Sequence, residues 1–258
     1  SHYSSLHVAE SFRVLESLHP GRIDLGLGRA PGSDPRTAAA LAYPDEARDV
    51  RHYPEQIDDL VSYLGPGQED SHPFSGIKAA PTKGSVPEVW LLGSGIDSAL
   101  LAAERGLPYA YAHFFGASVD HGPAIVDAYR TRFEPSRLSE VPKVMLAVQV
   151  ICAETSRRAY DLSLSLGLAR LLLAKGVPEP IASVTDASAY PYSSSEKAFV
   201  EQFQEICVLG TEDEVEKRLE LLSEQFETDE FSVVTVCHDF ESRCESYRLL
   251  AKRFGLKC

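Results

Sequence analysis

This sequence lacks most of the features that would assign it quickly to a class. Its only methionine is Met145 and it opens at Ser1, so further encoded residues are expected before that position. No stretch approaches the roughly 18 consecutive apolar residues of a membrane span, and no basic, apolar and small-residue leader is present. Lys and Arg form no cluster, and the formal net charge is −13. Nucleic-acid binders concentrate basic residues in a patch, so the sequence argues against that class. Five cysteines (Cys152, Cys207, Cys237, Cys244 and Cys258) lie at wide, irregular intervals with no CxxC pair. An odd, scattered set predicts reduced thiols in the cytoplasm and argues against both a disulfide framework and a structural zinc site. The histidines show no metal-ligand spacing either. There is no GxSxG elbow, no phosphate loop ending in Gly-Lys-Ser/Thr and no GxGxxG fingerprint.

The composition that remains is 44% hydrophobic and 24% charged over 258 residues, enough for one sizeable α/β core. Residues 4–18 read as an amphipathic helix ended by Pro20-Gly21. A short strand follows at 23–27, then a long Pro- and Gly-rich loop over 30–54, a helix at 54–64 and an irregular stretch at 65–87. Beyond that the alternation is regular, with strands predicted at 89–93, 109–114, 144–152 and 231–237. Helices are predicted at 98–105, 122–133, 156–175, 196–208, 212–226 and 241–254, with a loop at 176–195. Strands apolar on both faces alternating with helices predict a buried parallel sheet. Five such strands fit part of an eight-stranded barrel, and a doubly wound open sheet is the alternative. The expected organisation is one domain over residues 1–258.

Three segments can carry chemistry. Gly26-Leu27-Gly28-Arg29 ends a strand, where glycines let a ligand approach the backbone and Arg29 suits a phosphate or carboxylate. A tight turn with an exposed arginine is the plainer reading. Gly93-Ser94-Gly95-Ile96-Asp97-Ser98 joins a strand to a helix, which suits a phosphate cradle. Helix capping by Asp97 or Ser98 explains it as well, and Asp97 is expected to face the helix. His113 and Phe114 follow the third strand and can line a planar ring, although a histidine there is also an ordinary packing residue. His238-Asp239, after the last strand, is a poor metal half-site and at most a positioning pair.

The run from Val8 to Arg29, with its Ala9-Glu10, Gly21-Arg22 and Gly26-Leu27-Gly28-Arg29 elements, resembles the bacterial luciferase-like flavin monooxygenases. So do Pro87–Gly95 with Ser98–Pro108, the Tyr111–Phe114 block and the closing segment at 243–251. The resemblance implies a TIM (β/α)8 barrel with about three N-terminal strands absent from this sequence. It implies FMN-dependent oxygenation of a small organic substrate by reduced flavin and O₂. The FMN would be reduced by a separate NAD(P)H-dependent flavin reductase, since no nicotinamide fingerprint is seen, and the protein would be a homodimer. By motif, Arg29 would pair with the FMN phosphate, Gly28, Gly93, Ser94, Gly95 and Ser98 would complete that site, and His113 and Phe114 would lie toward the ring or substrate. A deazaflavin (F420)-dependent oxidoreductase of the same superfamily and a non-catalytic flavin-binding protein are the alternatives.

Overall fold

The computed structural model describes residues 3–29, 35–43, 50–115, 121–177 and 179–256. They form two compact units, residues 1–110 with 128–143, and residues 111–127 with 144–258. The strands whose register is defined pair in parallel throughout, as their apolar, helix-separated sequences predict.

In the first unit, β1 (Asp24–Gly28) pairs with β2 (Glu88–Gly93) in the register Leu25 to Val89 and Gly28 to Leu92. Leu25, Val89 and Leu91 are buried with Ile57, Leu60 and Leu64 of α3 (Tyr53–Leu64) and Ala99, Ala102 and Ala103 of α4 (Ile96–Glu104). Helix α1 (Ser5–Leu18) starts where predicted, capped by Ser4, but its buried face is unexpected. It buries Ala9, Arg13 and Glu16 and leaves Val14, Leu15 and Leu18 exposed. The cause is local hydrogen bonding. The Arg13 guanidinium donates to the Leu64 carbonyl at 2.8 Å and to the Pro81 carbonyl. Glu16 accepts from the Gly21 N–H at 2.8 Å and the Ser85 hydroxyl at 2.5 Å. These bonds hold the Glu16 carboxyl below the usual carboxylate range, Gly21 contributing most. Two charged side chains thus tie α1 to the irregular 65–87 stretch, which has few apolar residues of its own to bury.

In the second unit, β4 (Val144–Cys152) pairs with β6 (Phe231–Val234) over Leu146–Gln149 and with β5 (Val208–Gly210) over Val150–Cys152. Helices α6 (Ser156–Ala174), α8 (Ser194–Ile206), α9 (Glu212–Phe226) and α10 (Phe240–Arg253) surround it. Thr155, Ser193, Thr211 and Asp239 stand at their N-termini, and Ser193 and Thr211 form capping boxes with Glu196 and Glu214.

Several expectations need correction. The loop predicted over 30–54 contains α2 (Pro35–Ala42), because Pro suits the first helical position and Thr37 is followed by an alanine run. The parts of that loop at 30–34 and 44–49 lie outside the described residues. The loop predicted at 176–195 contains α7 (Val184–Ala189), nucleated by Ser183 accepting from the Asp186 N–H at 3.1 Å. Strand β5 went unforeseen, since three residues are too few for alternation to register. Strand β3 (Tyr109–Ala112) stops early, and 113–115 form a 3-10 turn. The last strand likewise ends at Val234.

Helix α6 meets α8 at Gly167, where an added Cβ would lie 2.6 Å from Val200 Cγ1. Val200 is β-branched and stiff at χ1, so it cannot swing aside cheaply. Gly167→Val is expected to destabilise the protein by about 1–3 kcal/mol. Urea unfolding measures this, and an unchanged midpoint would contradict the close α6–α8 packing.

Candidate cofactor-binding site

Side chains alternate along a strand, and directly paired residues share a face. The register therefore sets Asp24, Gly26 and Gly28 beside Glu88, Trp90 and Leu92. On this face the two glycines leave the backbone bare. A Cβ added at either meets nothing within 4 Å. Trp90 is buried alongside, its indole N–H donating to Glu88 at 3.2 Å.

Beyond the paired residues, Arg29 and the 93–98 turn leave the sheet side by side. Helix α4 begins at Ile96 behind Gly95, whose extended backbone caps the helix without any side-chain acceptor. The first N–H groups of a helix lack intrahelical partners and carry its positive dipole end. Neither Asp97 nor Ser98 is the N-cap, contrary to expectation. Asp97 also does not fold back on the helix. It reaches Arg29 at 3.9 Å, and both side chains are mostly in solvent.

Ser98 has a structural task. Its hydroxyl donates to the Gly95 carbonyl at 2.8 Å and lies 3.3 Å from the Tyr109 hydroxyl, which donates to the Gly93 carbonyl at 2.9 Å. A Cβ on Gly93 would fall 2.0 Å from Ser98 Oγ, so only glycine lets this brace close. The Ser98 hydroxyl proton is thus committed to the turn, while its backbone N–H stays at the helix start. Ser94 is half-buried.

One participant escaped the sequence reading. Tyr53, at the start of α3, is buried, and its hydroxyl meets no hydrogen-bond partner among the described residues. Burial pushes that hydroxyl up to about 12, with the Arg29 charge pulling the other way. A buried, unsatisfied hydroxyl is costly and points to an absent acceptor. Nothing in the sequence around Tyr53 marks it, because its burial is a tertiary fact.

The second unit holds His113 and Phe114. His113 is 1% exposed and packs edge-on against Phe226 of α9, ring centres 6.0 Å apart. Both ring nitrogens are buried and meet no partner among the described residues. The His113 ring is thus enclosed within the second unit. Phe114 is half-buried against Phe115, and its carbonyl accepts from Arg170 at 3.2 Å. Gln149 of β4 is also buried, its amide Nε2 without a partner among the described residues. Asp239, one half of the His238-Asp239 pair, caps α10 by accepting from the Ser242 N–H at 2.7 Å.

The luciferase-like monooxygenase profile matches residues 1–228. The chain belongs to the luciferase-like monooxygenase family. It is 43% identical over 255 residues to the uncharacterized protein YwcH of Bacillus subtilis (strain 168), covering 98% of this chain and 76% of that one. It is 34% identical over 251 residues to a luciferase-like monooxygenase of Escherichia coli (strain K12), covering 96% and 72%. A crystal structure of apo-MsnO8 superposes at TM-score 0.82 with 33% identity, covering 99% of this chain and 75% of that one. Two more distant structures share the fold. One is the oxygenating constituent of 3,6-diketocamphane monooxygenase from a Pseudomonas putida plasmid in complex with FMN, at TM-score 0.57 and 16% identity, covering 98% of this chain and 76% of that one. The other is an F420-dependent secondary alcohol dehydrogenase, at 0.59 and 13%, covering 97% and 75%. The fold is thus the α/β, parallel-stranded one of the luciferase-like TIM-barrel enzymes, and the protein is an oxidoreductase of this family.

Burial, and secondarily the Arg218 charge, lowers His113 to about 4. A histidine held neutral in the folded state contributes stability that is full above its unfolded value, near 6.5. That contribution is lost as pH falls from about 6.5 to about 4, because only the unfolded chain takes up the proton there. The shift to about 4 corresponds to on the order of 3 kcal/mol. Chemical unfolding of wild type and His113→Leu across pH 4–8 measures it. The wild type is expected to lose more stability on acidification, and parallel curves would refute the assignment.

Proposed function

We propose that this protein is an FMN-dependent monooxygenase that uses reduced flavin and O₂ to oxygenate a small organic substrate. The observation that carries the reading is the cradle at the ends of β1 and β2. Arg29, the start of α4, which no side chain caps, and the Tyr53 hydroxyl, which feels the Arg29 charge, would supply cation, N–H donors and O–H donor for one anionic group. A terminal phosphate fits that donor set. Gly26 and Gly28 leave the neighbouring strand surface open to a planar ring. The FMN complex of a protein with the same fold supports the choice of cofactor.

Bound reduced flavin supplies the reaction with O₂, and the chain binds, orients and shelters it. Arg29 would hold the phosphate by charge-assisted hydrogen bonds. The Gly93, Ser94, Gly95 and Ser98 backbone would present the helix start, with Gly28 giving access at the strand end. The Ser98–Tyr109–Gly93 brace would keep the cradle rigid, so little ordering is left for binding to impose. A separate NAD(P)H-dependent reductase would provide reduced FMN.

Titration with FMN and with reduced FMN, followed by O₂ uptake with candidate substrates, tests the reading. F420 reduction without O₂ uptake would favour the F420-dependent alternative. Flavin binding without turnover would favour a flavin-binding protein. No binding of either flavin at micromolar concentration would overturn the proposal. Arg29→Ala is expected to weaken FMN binding by about 1–3 kcal/mol. Asp97→Asn is expected to do the opposite. It removes a carboxylate 3.9 Å from Arg29, and an exposed pair of that kind is weak. FMN affinity should rise about two- to fivefold, read by the same titration.

A further inference from the structure

Arg170 of α6 is a half-buried cation with no counter-charge among the described residues. Its guanidinium spends one N–H on the Phe114 carbonyl at 3.2 Å. Two aromatic rings flank it, Phe203 with its centre 5.1 Å away and Phe115 at 5.7 Å. Among the described residues no carboxylate pairs with it. Two other arginines of low exposure are treated differently. Arg13 is closed in by two carbonyls, and Arg105 is paired with Asp58. A guanidinium offers five donors in a flat fork, so most of this one's hydrogen-bonding capacity is left over.

The surroundings define a pocket of about 350 Å³ within the second unit, bounded by Phe115, Leu173, Phe199 and Phe203 with Arg170 and Gln202. That volume is in the range of small-molecule sites, which combine apolar walls with a few placed polar groups. Phe115, Leu173 and Phe199 are each 40–54% exposed. Large apolar side chains left in solvent around one partly desolvated cation suit a ligand with a flat or apolar body and one negative end. Burial lowers the Arg170 pKa, consistent with a charge short of solvation.

We propose that this pocket binds a small organic carboxylate, its acid group on the Arg170 fork and its body between Phe115 and Phe203. Phe203 and Arg170 lie on different helices, so their approach depends on the same α6–α8 packing that Gly167 permits. The site does not rest on the flavin reading and is testable in the protein without cofactor.

Benzoate and its neutral isostere benzamide are the probes, measured by isothermal titration calorimetry and saturation-transfer NMR. Benzoate is expected to bind saturably, with Kd near or below about 1 mM, and benzamide at least about tenfold more weakly. Arg170→Gln, shown folded by its circular dichroism and melting curve, should raise the benzoate Kd at least about tenfold. Phe203→Leu should weaken both probes while preserving the charge preference. Equal binding of benzoate and benzamide to the wild type would overturn the proposal without recourse to any variant. So would no saturable benzoate binding up to about 20 mM, or unchanged binding by folded Arg170→Gln.

Discussion

The register of β1 on β2 is the constraint on which the candidate site depends. Pairing Gly28 with Leu92 sends Arg29 and the Gly93–Ser98 turn out of the sheet together. A slip of one residue would turn Gly26 and Gly28 to the other face and bring Leu25 and Leu27 out of the core. Burial of Leu25, Val89 and Leu91 therefore stabilises the register and, with it, the geometry around Arg29. The glycines add nothing to that burial. They remain on the open face, where an added Cβ would meet nothing within 4 Å.

A second theme is how an acidic protein disposes its arginines. Arg13 is buried but answered by carbonyl oxygens, and it serves architecture. Arg29 is exposed beside Asp97 at 3.9 Å, a contact loose enough to yield to a better anion. Arg170 is half-buried, flanked by aromatic rings and, among the described residues, short of acceptors. These environments give one residue type three roles. Net charge describes none of them, because each depends on which acceptors lie within hydrogen-bond distance.

Much of the fold was legible in the sequence. Long helices and strands announced themselves because their periodicity runs for many residues, as in β4 and α6. Short elements did not. β5 has three residues, and α7 has six in a Pro- and Ser-rich stretch, so neither sustains a pattern. The polar inner face of α1 was also hidden, since periodicity assumes that apolar residues turn inward. Arg13 and Glu16 reverse that assumption because the 65–87 stretch offers backbone groups and a hydroxyl to bond rather than apolar surface.

At the candidate site, the glycine-rich motifs fall at the ends of β1 and β2, which the structure pairs. Their partners were a different matter. Sequence alone determined the order of strands and helices, the family resemblance, and the presence of Arg29 and Gly93–Ser98 at strand ends. Only the tertiary structure decided that Ser98 braces its own turn, that Asp97 leans toward Arg29 and that the Tyr53 hydroxyl meets no partner among the described residues. It also decided that His113 is sealed against Phe226. Each of these is a relation between atoms brought together by packing, and a residue's place along the chain carries no information about which acceptor it will meet or how much water it will keep.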